Sequence, residues 1–197
     1  MESFKNKLIK ALTLQVLYSA SSPSQPRKKD QSQSAVALLI GFHKNTPHLL
    51  FTKRSEHVEH HKSEISFPGG MQARNETLIE TVRRETLEEI YLPPHQWNVL
   101  GNLDPFFTLS SAIDIHPFVG IVEQEIEHLT LKAHTHEVES FFWIPFKSLL
   151  EQEKIEEFKW KGKTIKTPVY YHEDHKIWGA TALMTLNLCL KLKKAQG

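Results

Sequence analysis

The strongest constraint on the fold comes from apolar segments of strand length separated by turn residues. The run AVALLIGF (35–42) ends at a polar turn, and HLLFTKRS (48–55) resumes the apolar pattern. This pair predicts two strands joined as a hairpin. Two later segments, HPFVGIV (116–122) and VESFFWIP (138–145), are also typical of strands, and Pro145 is expected to stop the second. The sequence therefore predicts four strands in this part of the chain.

Helical patterns alternate with these strands. From about Thr77 to Ile90, apolar side chains recur at spacings of three and four, which predicts a helix with one buried stripe. The prolines at 93–94 are expected to terminate it. Further helices are predicted over 146–158 and 177–194, the latter ending in lysines that suit a helix C-terminus. This mixture of strands and helices predicts an α/β or α+β sandwich.

Length and charge limit the organisation of the chain and its partners. With 197 residues, of which 40% are hydrophobic, we expect one globular domain over 35–197. Residues 1–34 are expected to form an N-terminal amphipathic helix and a mobile linker, because 20–34 is rich in serine, glutamine, proline and charge. The formal charge of +1 gives no overall field that would favour nucleic acid or an anionic membrane. Neither partner is expected.

The cysteine content and the N-terminus bear on the compartment. Cys189 is the one cysteine, so no intramolecular disulfide can form, and we expect a reducing, cytoplasmic environment. No segment approaches the ~20 apolar residues that span a bilayer. The N-terminus is loosely similar to a signal peptide, but Lys10 and Gln15 interrupt its apolar run. Helical spacing of the apolar residues favours the amphipathic helix.

The acidic segment RRETLEEIYL concentrates three glutamates on one helical face. At about 100° per residue, Glu88 lies roughly 60° to one side of Glu85, and Glu89 roughly 40° to the other. Neighbouring carboxylates repel unless solvent screens them or a cation lies among them. One interpretation is a solvated face on which Arg84 pairs with Glu88. The other is a cation site, since the glycines at 69–70 allow a backbone carbonyl to approach, and Mg²⁺ prefers oxygen ligands.

The spacing of these residues resembles the Nudix box. Gly70, five residues, Glu76, seven residues and the run RETLEE (84–89) follow its pattern Gly-x5-Glu-x7-Arg-Glu-U-x-Glu-Glu-x-Gly-U, where U is a bulky aliphatic residue. Thr86 replaces the first aliphatic residue, and Tyr91 replaces the glycine. Tyrosine lacks the freedom of glycine at positive φ, so the end of the helix is the part of the pattern that this chain alters most.

The resemblance implies an α/β/α sandwich with a mixed sheet, and a pyrophosphohydrolase that acts on a nucleoside diphosphate linked to another group. It implies that Glu85, Glu88 and Glu89 bind Mg²⁺ or Mn²⁺ and that one of them helps to deprotonate water. It also implies that Arg84 orients a neighbouring glutamate and that the Gly69 carbonyl is an additional metal ligand. Bound metal suits this reaction, because phosphate oxygens must be neutralised and hydroxide generated near neutral pH.

Two further glutamates are expected near the site. Glu76 is interpreted as a structural residue near the start of the helix. Glu137 is a candidate for a further metal ligand or the general base, because a downstream loop glutamate has that role in some Nudix enzymes. Its alternative is an exposed loop residue. Trp178 and the aromatic residues at 141–143 are interpreted as core residues, because their neighbours are apolar.

The segment before the box is similar to the second signature of the coenzyme A pyrophosphatase family. LLFTKRSEHVEHHKSEISFPGG (49–70) follows that signature through Arg54, His57, His61 and Phe67. The resemblance implies that these residues bind coenzyme A, and the cationic side chains suit its diphosphate and 3′-phosphate. The alternative is that Arg54 ends a strand in solvent and the histidines are surface loop residues. Their spacing does not resemble a zinc site.

The expected reaction is cleavage of coenzyme A or acyl-CoA into 3′,5′-ADP and 4′-phosphopantetheine or its acyl form. Ser63 replaces a glycine of the signature and Ala73 an aspartate, so a Nudix hydrolase of ADP-ribose or nucleoside diphosphate sugars is the alternative. A Nudix binding module without catalysis is a third hypothesis, which the three retained glutamates disfavour. Analogy with the family suggests a homodimer.

Overall fold

The computed structural model describes residues 1–13, 32–57, 62–107, 113–134, 136–160 and 162–196. Within these ranges the chain forms four α-helices and eleven strands. The helices are α1 (Glu2–Thr13), α2 (Leu78–Ile90), α3 (Phe146–Glu151) and α4 (Gly179–Gln196). The strands are β1 (Gln33–His43), β2 (Thr46–Arg54), β3 (Ile65–Ser66), β4 (Gly69–Met71), β5 (Trp97–Asn102), β6 (Phe106–Phe107), β7 (Asp114–Glu125), β8 (Val138–Pro145), β9 (Lys154–Trp160), β10 (Lys163–His172) and β11 (His175–Ile177).

Strands β1 to β8 form one mixed sheet. β1 pairs in parallel with β7 and antiparallel with β2, while β8 pairs antiparallel with the other edge of β2. β5 and β6 both pair antiparallel with β7. Strands β9, β10 and β11 form a separate antiparallel sheet. The combination of parallel and antiparallel pairs confirms the mixed sheet.

The predicted hairpin is formed by β1 and β2. Their four paired positions run from Ile40 opposite Leu49 to His43 opposite Thr46. The turn residues Lys44 and Asn45 have φ angles of 48° and 62°. Positive φ at both central positions is typical of the hairpin turn whose twist matches that of the strands.

A short segment fills the gap where β1 and β2 diverge. β3 pairs with the end of β2, and β4 pairs with the beginning of β1. Between them, the Pro68 carbonyl accepts a hydrogen bond of 2.8 Å from the Ala37 N–H. These contacts fix Gly69 and Gly70 beside β1, directly under the helix that follows.

Both faces of β1 are buried, so a helical layer covers each side of the sheet. One face packs against α1 and α4, through residues that include Leu38, Ile40, Phe42, Leu8, Met184 and Leu188. The opposite face packs against α2, through residues that include Ala35, Ala37, Leu39, Val82 and Ile90. The α/β/α sandwich is therefore confirmed.

Helix α1 packs against this core. Leu8 and Ala11 are fully buried, and the Phe4 ring contacts the Phe42 ring edge-on at a centroid distance of 5.9 Å. The expected linker falls mostly in 14–31, outside the described residues, and the domain boundary at residue 34 stays a prediction. Among the helices that the structure describes, none has both the length and the hydropathy needed to cross a bilayer.

One helix is shorter than the sequence pattern indicated. α3 was predicted to extend over 146–158, but it ends at Glu151, and Lys154–Trp160 forms strand β9. β9 pairs with β10 from Lys154 opposite Val169 onwards. The prediction was wrong because glutamate, lysine and glutamine favour a helix locally, whereas pairing with a later strand decides the conformation.

Candidate active site

Helix α2 has a defined cap at each end. The Glu80 carboxylate accepts a hydrogen bond of 2.7 Å from the Thr77 N–H, and the Thr77 hydroxyl accepts one from the Glu80 N–H. This reciprocal pair is a capping box. At the other end, Tyr91 has φ 56° and ψ 31°, and its N–H donates to the Leu87 carbonyl at 3.0 Å. The helix ends before the prolines, in the left-handed conformation that a glycine would favour.

The two glycines before α2 allow close approaches that a side chain would prevent. Gly69 has φ 151°, and a Cβ there would collide with the Ala35 carbonyl. Its N–H donates to Glu89 Oε2 at 3.0 Å. A Cβ on Gly70 would lie 2.5 Å from Glu85 Cδ. The glycine pair therefore brings the backbone into contact with both carboxylates, while the role of the Gly69 carbonyl as a metal ligand stays a prediction.

Three carboxylates converge beside these glycines. Glu85 and Glu89 lie one turn apart on α2, and Glu137 lies in the turn before β8; one oxygen of each lies within 4.8 Å of the others. The Glu137 carbonyl accepts a hydrogen bond of 2.9 Å from the Ser55 N–H. The Glu89 carbonyl accepts one of 2.9 Å from the His134 N–H. These two backbone contacts hold the loop of Glu137 against β2 and α2.

We call Glu85, Glu89 and Glu137 the carboxylate cluster, and burial dominates the electrostatics of its two helical members, Glu85 and Glu89. Glu89 is 3% exposed, and burial raises its pKa to about 8, although the Gly69 N–H opposes the shift. Burial is also the main cause of the raised pKa of Glu85, against the effect of Arg84. A divalent cation would favour the ionised carboxylates, and hard cations prefer oxygen donors. The donor set therefore fits a divalent metal ion.

Arg84 connects the cluster to the loop before α2. Its Nε donates to Glu76 Oε1 at 2.7 Å, and its Nη2 donates to Glu76 Oε2 at 3.1 Å. Its Nη1 donates to Glu85 at 2.8 Å. The Arg84 hydrogen bonds, with a further one from Thr81, hold the Glu76 pKa at about 2. Arg84 is thus fixed by one glutamate while it orients another.

Glu88 borders the carboxylate cluster but is not one of its three convergent members. Its side chain is 54% exposed, and its carboxylate accepts a hydrogen bond of 3.0 Å from Arg84 Nη1 one turn earlier. The ion pair between Arg84 and Glu88 is the one that the solvated-face interpretation expected. Of the three helix glutamates, Glu88 is the one whose side chain is largely exposed to solvent. A metal-binding role for Glu88 stays a prediction.

Two of the residues predicted to bind substrate upstream of the box are described, Arg54 at the end of β2 and His57 in the turn after it. Arg54 is close enough to lower the Glu89 pKa, and its Nε is buried without a hydrogen-bond partner among the described residues. The His57 ring lies 6.3 Å from the His136 ring, between centroids, and His136 directly precedes Glu137 in the chain. His61 lies outside the described residues. Substrate contacts by these residues stay predictions.

One aromatic residue differs from the position that the sequence suggested, and another is buried. Phe67 is 3% exposed and stacks on Phe51 at 5.0 Å between centroids, so its ring belongs to the core, and its contact with a substrate stays a prediction. Trp178 was predicted to be in the core but is 46% exposed. It precedes α4 and is followed by Gly179 at φ 63°, a turn that apolar neighbours do not reveal.

An α/β/α sandwich in which one buried and two more accessible carboxylates converge beside a glycine pair offers a site that fits a divalent metal ion. Residues 31–166 match the family model of the NUDIX domain. The chain belongs to the Nudix family of pyrophosphohydrolases, whose members use divalent metal ions.

Curated relatives support this assignment, and a solved structure shares the fold. The protein described as "Uncharacterized Nudix hydrolase NudL" of Yersinia enterocolitica is 32% identical over 163 residues, which cover 80% of each chain. "Nudix hydrolase 3" of Caenorhabditis elegans is 28% identical over 200 residues, with coverage of 92% of this chain and 83% of the relative. The crystal structure of a MutT/nudix family protein from Enterococcus faecalis matches the fold with a TM-score of 0.54 at 15% identity, covering 99% of this chain and 74% of that one.

Proposed function

We propose that the protein is a Mg²⁺- or Mn²⁺-dependent hydrolase of coenzyme A or acyl-CoA. Water adds to one phosphorus of the diphosphate, and the bridging oxygen leaves with the other phosphate. The products are 3′,5′-ADP and 4′-phosphopantetheine or its acyl form. A bound divalent ion would neutralise phosphate oxygens and acidify water, which are the two demands of this hydrolysis.

The substrate assignment rests on the Nε of Arg54, which is buried and unpartnered among the described residues. Arg54 belongs to the segment that resembles the coenzyme A pyrophosphatase signature. A buried donor without a partner costs free energy, about 1–3 kcal/mol, unless a ligand supplies the acceptor. The diphosphate supplies such acceptors beside Glu89.

Ser63 supports the same assignment through its backbone. Its φ is 57°, which lies in the left-handed region that glycine favours. The backbone at Ser63 is therefore of the kind that the glycine of the signature would adopt readily. Ala73 differs more, because its methyl group cannot replace the carboxylate of the aspartate. This difference keeps ADP-ribose and nucleoside diphosphate sugars as the second candidate substrates.

Within the proposed site, Glu85 and Glu89 would hold the metal, with Glu88 and the Gly69 carbonyl as further ligands. Arg84 would position Glu85 through their hydrogen bond of 2.8 Å. Glu137 is our candidate for the group that accepts a proton from water, because it joins the cluster from a loop and is exposed.

The test is a substrate panel with purified protein and either Mg²⁺ or Mn²⁺. Coenzyme A, dephospho-CoA, acetyl-CoA and ADP-ribose are incubated at equal concentration, and the products are separated by chromatography. We expect 3′,5′-ADP from coenzyme A, and slower cleavage of dephospho-CoA, which lacks the 3′-phosphate. The Glu89→Gln variant supplies the background rate.

The panel separates the candidates. Brisk cleavage of ADP-ribose without 3′,5′-ADP from coenzyme A would sink the proposal in favour of the second candidate. Equal background rates for the wild type and Glu89→Gln on every substrate would favour the non-catalytic binding module.

A further inference from the structure

A cavity of about 340 Å³ lies on the α4 side of the sheet, outside the carboxylate cluster. We call it the Trp178 cavity. It is lined by residues that include Lys53, Ile65, Asp174, His175, Lys176 and Trp178. Its volume is at the lower end of the range for small-molecule pockets, about 300–1,000 Å³, and suits one part of a nucleotide better than a whole dinucleotide.

Trp178 contributes an exposed indole to this cavity. The side chain is 46% exposed even though it directly precedes the buried helix α4. Ile65, which is 6% exposed, lines the cavity as well. An exposed indole beside a concavity is a platform on which a planar base can stack.

A row of stacked rings ends at the same cavity. Phe67 stacks on Phe51 at 5.0 Å and 28°, Phe51 on Phe142 at 5.9 Å and 19°, and Phe142 on His175 at 4.3 Å and 14°. His175 is the member of this row that lines the cavity. Because Phe142 covers one face of the imidazole, the orientation of His175 is fixed by packing. One side of the cavity is therefore an aromatic surface held in place by packing.

The polar groups around the cavity have both signs. The Lys53 ammonium donates to Glu139 at 2.7 Å, and the Lys176 ammonium donates to Glu156 at 2.8 Å, so both lysines are already partly neutralised. The Asp174 carboxylate lies in the turn between β10 and β11. An aromatic wall with a carboxylate acceptor suits a base with an exocyclic amine, as in adenine.

We propose that the Trp178 cavity binds the adenine base of the nucleotide substrate. This inference rests on the proposed function, which makes that substrate an adenine nucleotide. Ile65 in the cavity and Gly69 beside the carboxylate cluster are four residues apart on one segment, so their Cα atoms are at most about 14 Å apart. The cavity lies on the α4 face of the sheet, and α2 with its carboxylates lies on the opposite face. The nucleotide would therefore pass around the end of β2, where Lys53 of the cavity directly precedes Arg54 of the site.

Direct binding tests this inference without catalysis. In EDTA, AMP and IMP are titrated into ¹⁵N-labelled protein, and the indole N–H signals of its four tryptophans are recorded. The Trp178→Phe variant assigns the signal of Trp178. We expect AMP to shift that signal at a lower concentration than IMP, whose carbonyl would face the Asp174 carboxylate. The Asp174→Asn variant should reduce the difference between the two nucleotides.

Kinetics supply the second readout, on whichever adenine nucleotide the substrate panel shows to be cleaved. Trp178→Ala should raise KM about tenfold and leave kcat nearly unchanged, because stacking is lost equally from the ground state and the transition state. Trp178→Phe should retain most of the affinity. Phe158→Ala is the matched control, since Phe158 is an exposed aromatic residue that does not line the cavity, and its KM should match the wild type.

The outcomes separate the two proposals. If coenzyme A is not cleaved but AMP shifts the Trp178 signal, the substrate proposal fails and the base site stands. If coenzyme A is cleaved while AMP leaves the Trp178 signal unmoved and Trp178→Ala keeps the wild-type KM, the base site is overturned. A thermal unfolding midpoint close to that of the wild type shows that a variant is folded.

Discussion

Glu76 and Glu89 belong to the same sequence pattern, yet their surroundings shift their carboxyl pKa values in opposite directions. Glu76 receives two hydrogen bonds from Arg84, and its pKa falls to about 2. Glu89 is buried against Gly69, and its pKa rises to about 8. One carboxylate has its countercharge within the protein, whereas the other is placed where a countercharge has to be bound.

This contrast separates the structural half of the box from the proposed metal-binding half. A glutamate that pairs with arginine is stable as an anion and gains little from a cation in solution. A buried glutamate among other carboxylates gains a great deal, because the cation offsets both desolvation and mutual repulsion. Arg84 lies between the two halves and contacts both, so it can hold Glu85 in place without occupying the metal site.

The largest expected effect is on activity when Glu89 is neutralised. Glu89→Gln should lower kcat by about 100-fold or more, since even changes to groups behind a metal ligand cost 10–100-fold. Glu80→Gln is the matched control on the same helix and should cost little, because Glu80 lies outside the cluster and glutamine can still accept the hydrogen bond from the Thr77 N–H. Steady-state kinetics at saturating metal measure both. Equal losses in the two variants would show that the effect of Glu89→Gln is not specific to the cluster.

Metal ions should stabilise the folded protein through Glu89 and the carboxylates beside it, and not through Glu76. At a metal concentration 100 times Kd, the free energy of unfolding should rise by about 2.7 kcal/mol. Urea unfolding of Glu76→Gln should show nearly the same increase, whereas Glu89→Gln should lose most of it. If Mg²⁺ and Mn²⁺ stabilise Glu89→Gln as much as the wild type, the cation binds elsewhere.

A methyl group on Gly70 should displace the Glu85 carboxylate without changing any charge. Gly70→Ala places its Cβ against the Glu85 carboxylate, which has to move, so we expect a loss of activity of about tenfold. Gly101→Ala is the matched control, because its Cβ would meet only the flexible Leu12 side chain. Kinetics and thermal unfolding of both variants distinguish a displaced carboxylate from a general loss of stability. Wild-type activity in Gly70→Ala would show that the position of Glu85 is not critical.

The smallest effect concerns the stability contributed by Glu76 as a function of pH. The pKa of Glu76 is about 2 in the folded state and 4.5 ordinarily. Between about pH 2 and pH 4.5, the folded state therefore binds fewer protons at this carboxyl than the unfolded state. The stabilisation is therefore present above about pH 4.5 and is lost as the pH falls towards 2. Urea unfolding should show Glu76→Gln less stable than the wild type at pH 7, with the difference shrinking at pH 3. A constant difference across this range would contradict the ion pair with Arg84.

The sequence patterns predicted the elements whose causes are local. The hairpin of β1 and β2 depends on adjacent apolar runs and a short turn, and α2 depends on its own periodicity and caps. The strand β9 could not be predicted in this way, because its residues favour a helix until β10 pairs with them. Tyr91 is intermediate, since spacing located the helix end but not the left-handed backbone that tyrosine adopts there.

The residues of the candidate site also differ in whether local sequence or distant contacts place them. Spacing on one helix brought out Glu85 and Glu89, because residues three and four apart share a face. Glu137 joins them only through backbone hydrogen bonds between separate loops, a contact that resemblance to the family suggested but periodicity could not. The exposure of Trp178 was missed because its neighbours in sequence are apolar, whereas its environment is set by the turn before α4 and by the distant β3.

The packing of α1 against α4 has a consequence for the order in which the protein folds during synthesis. α1 is made first and α4 last among the described elements, and the two helices share one layer of the core. The apolar residues Phe4, Leu8 and Ala11 therefore have no complete binding surface until α4 has been synthesised. Until then, the apolar stripe of α1 and one face of β1 lack the helix that completes this layer, and exposed apolar surface of this kind favours aggregation.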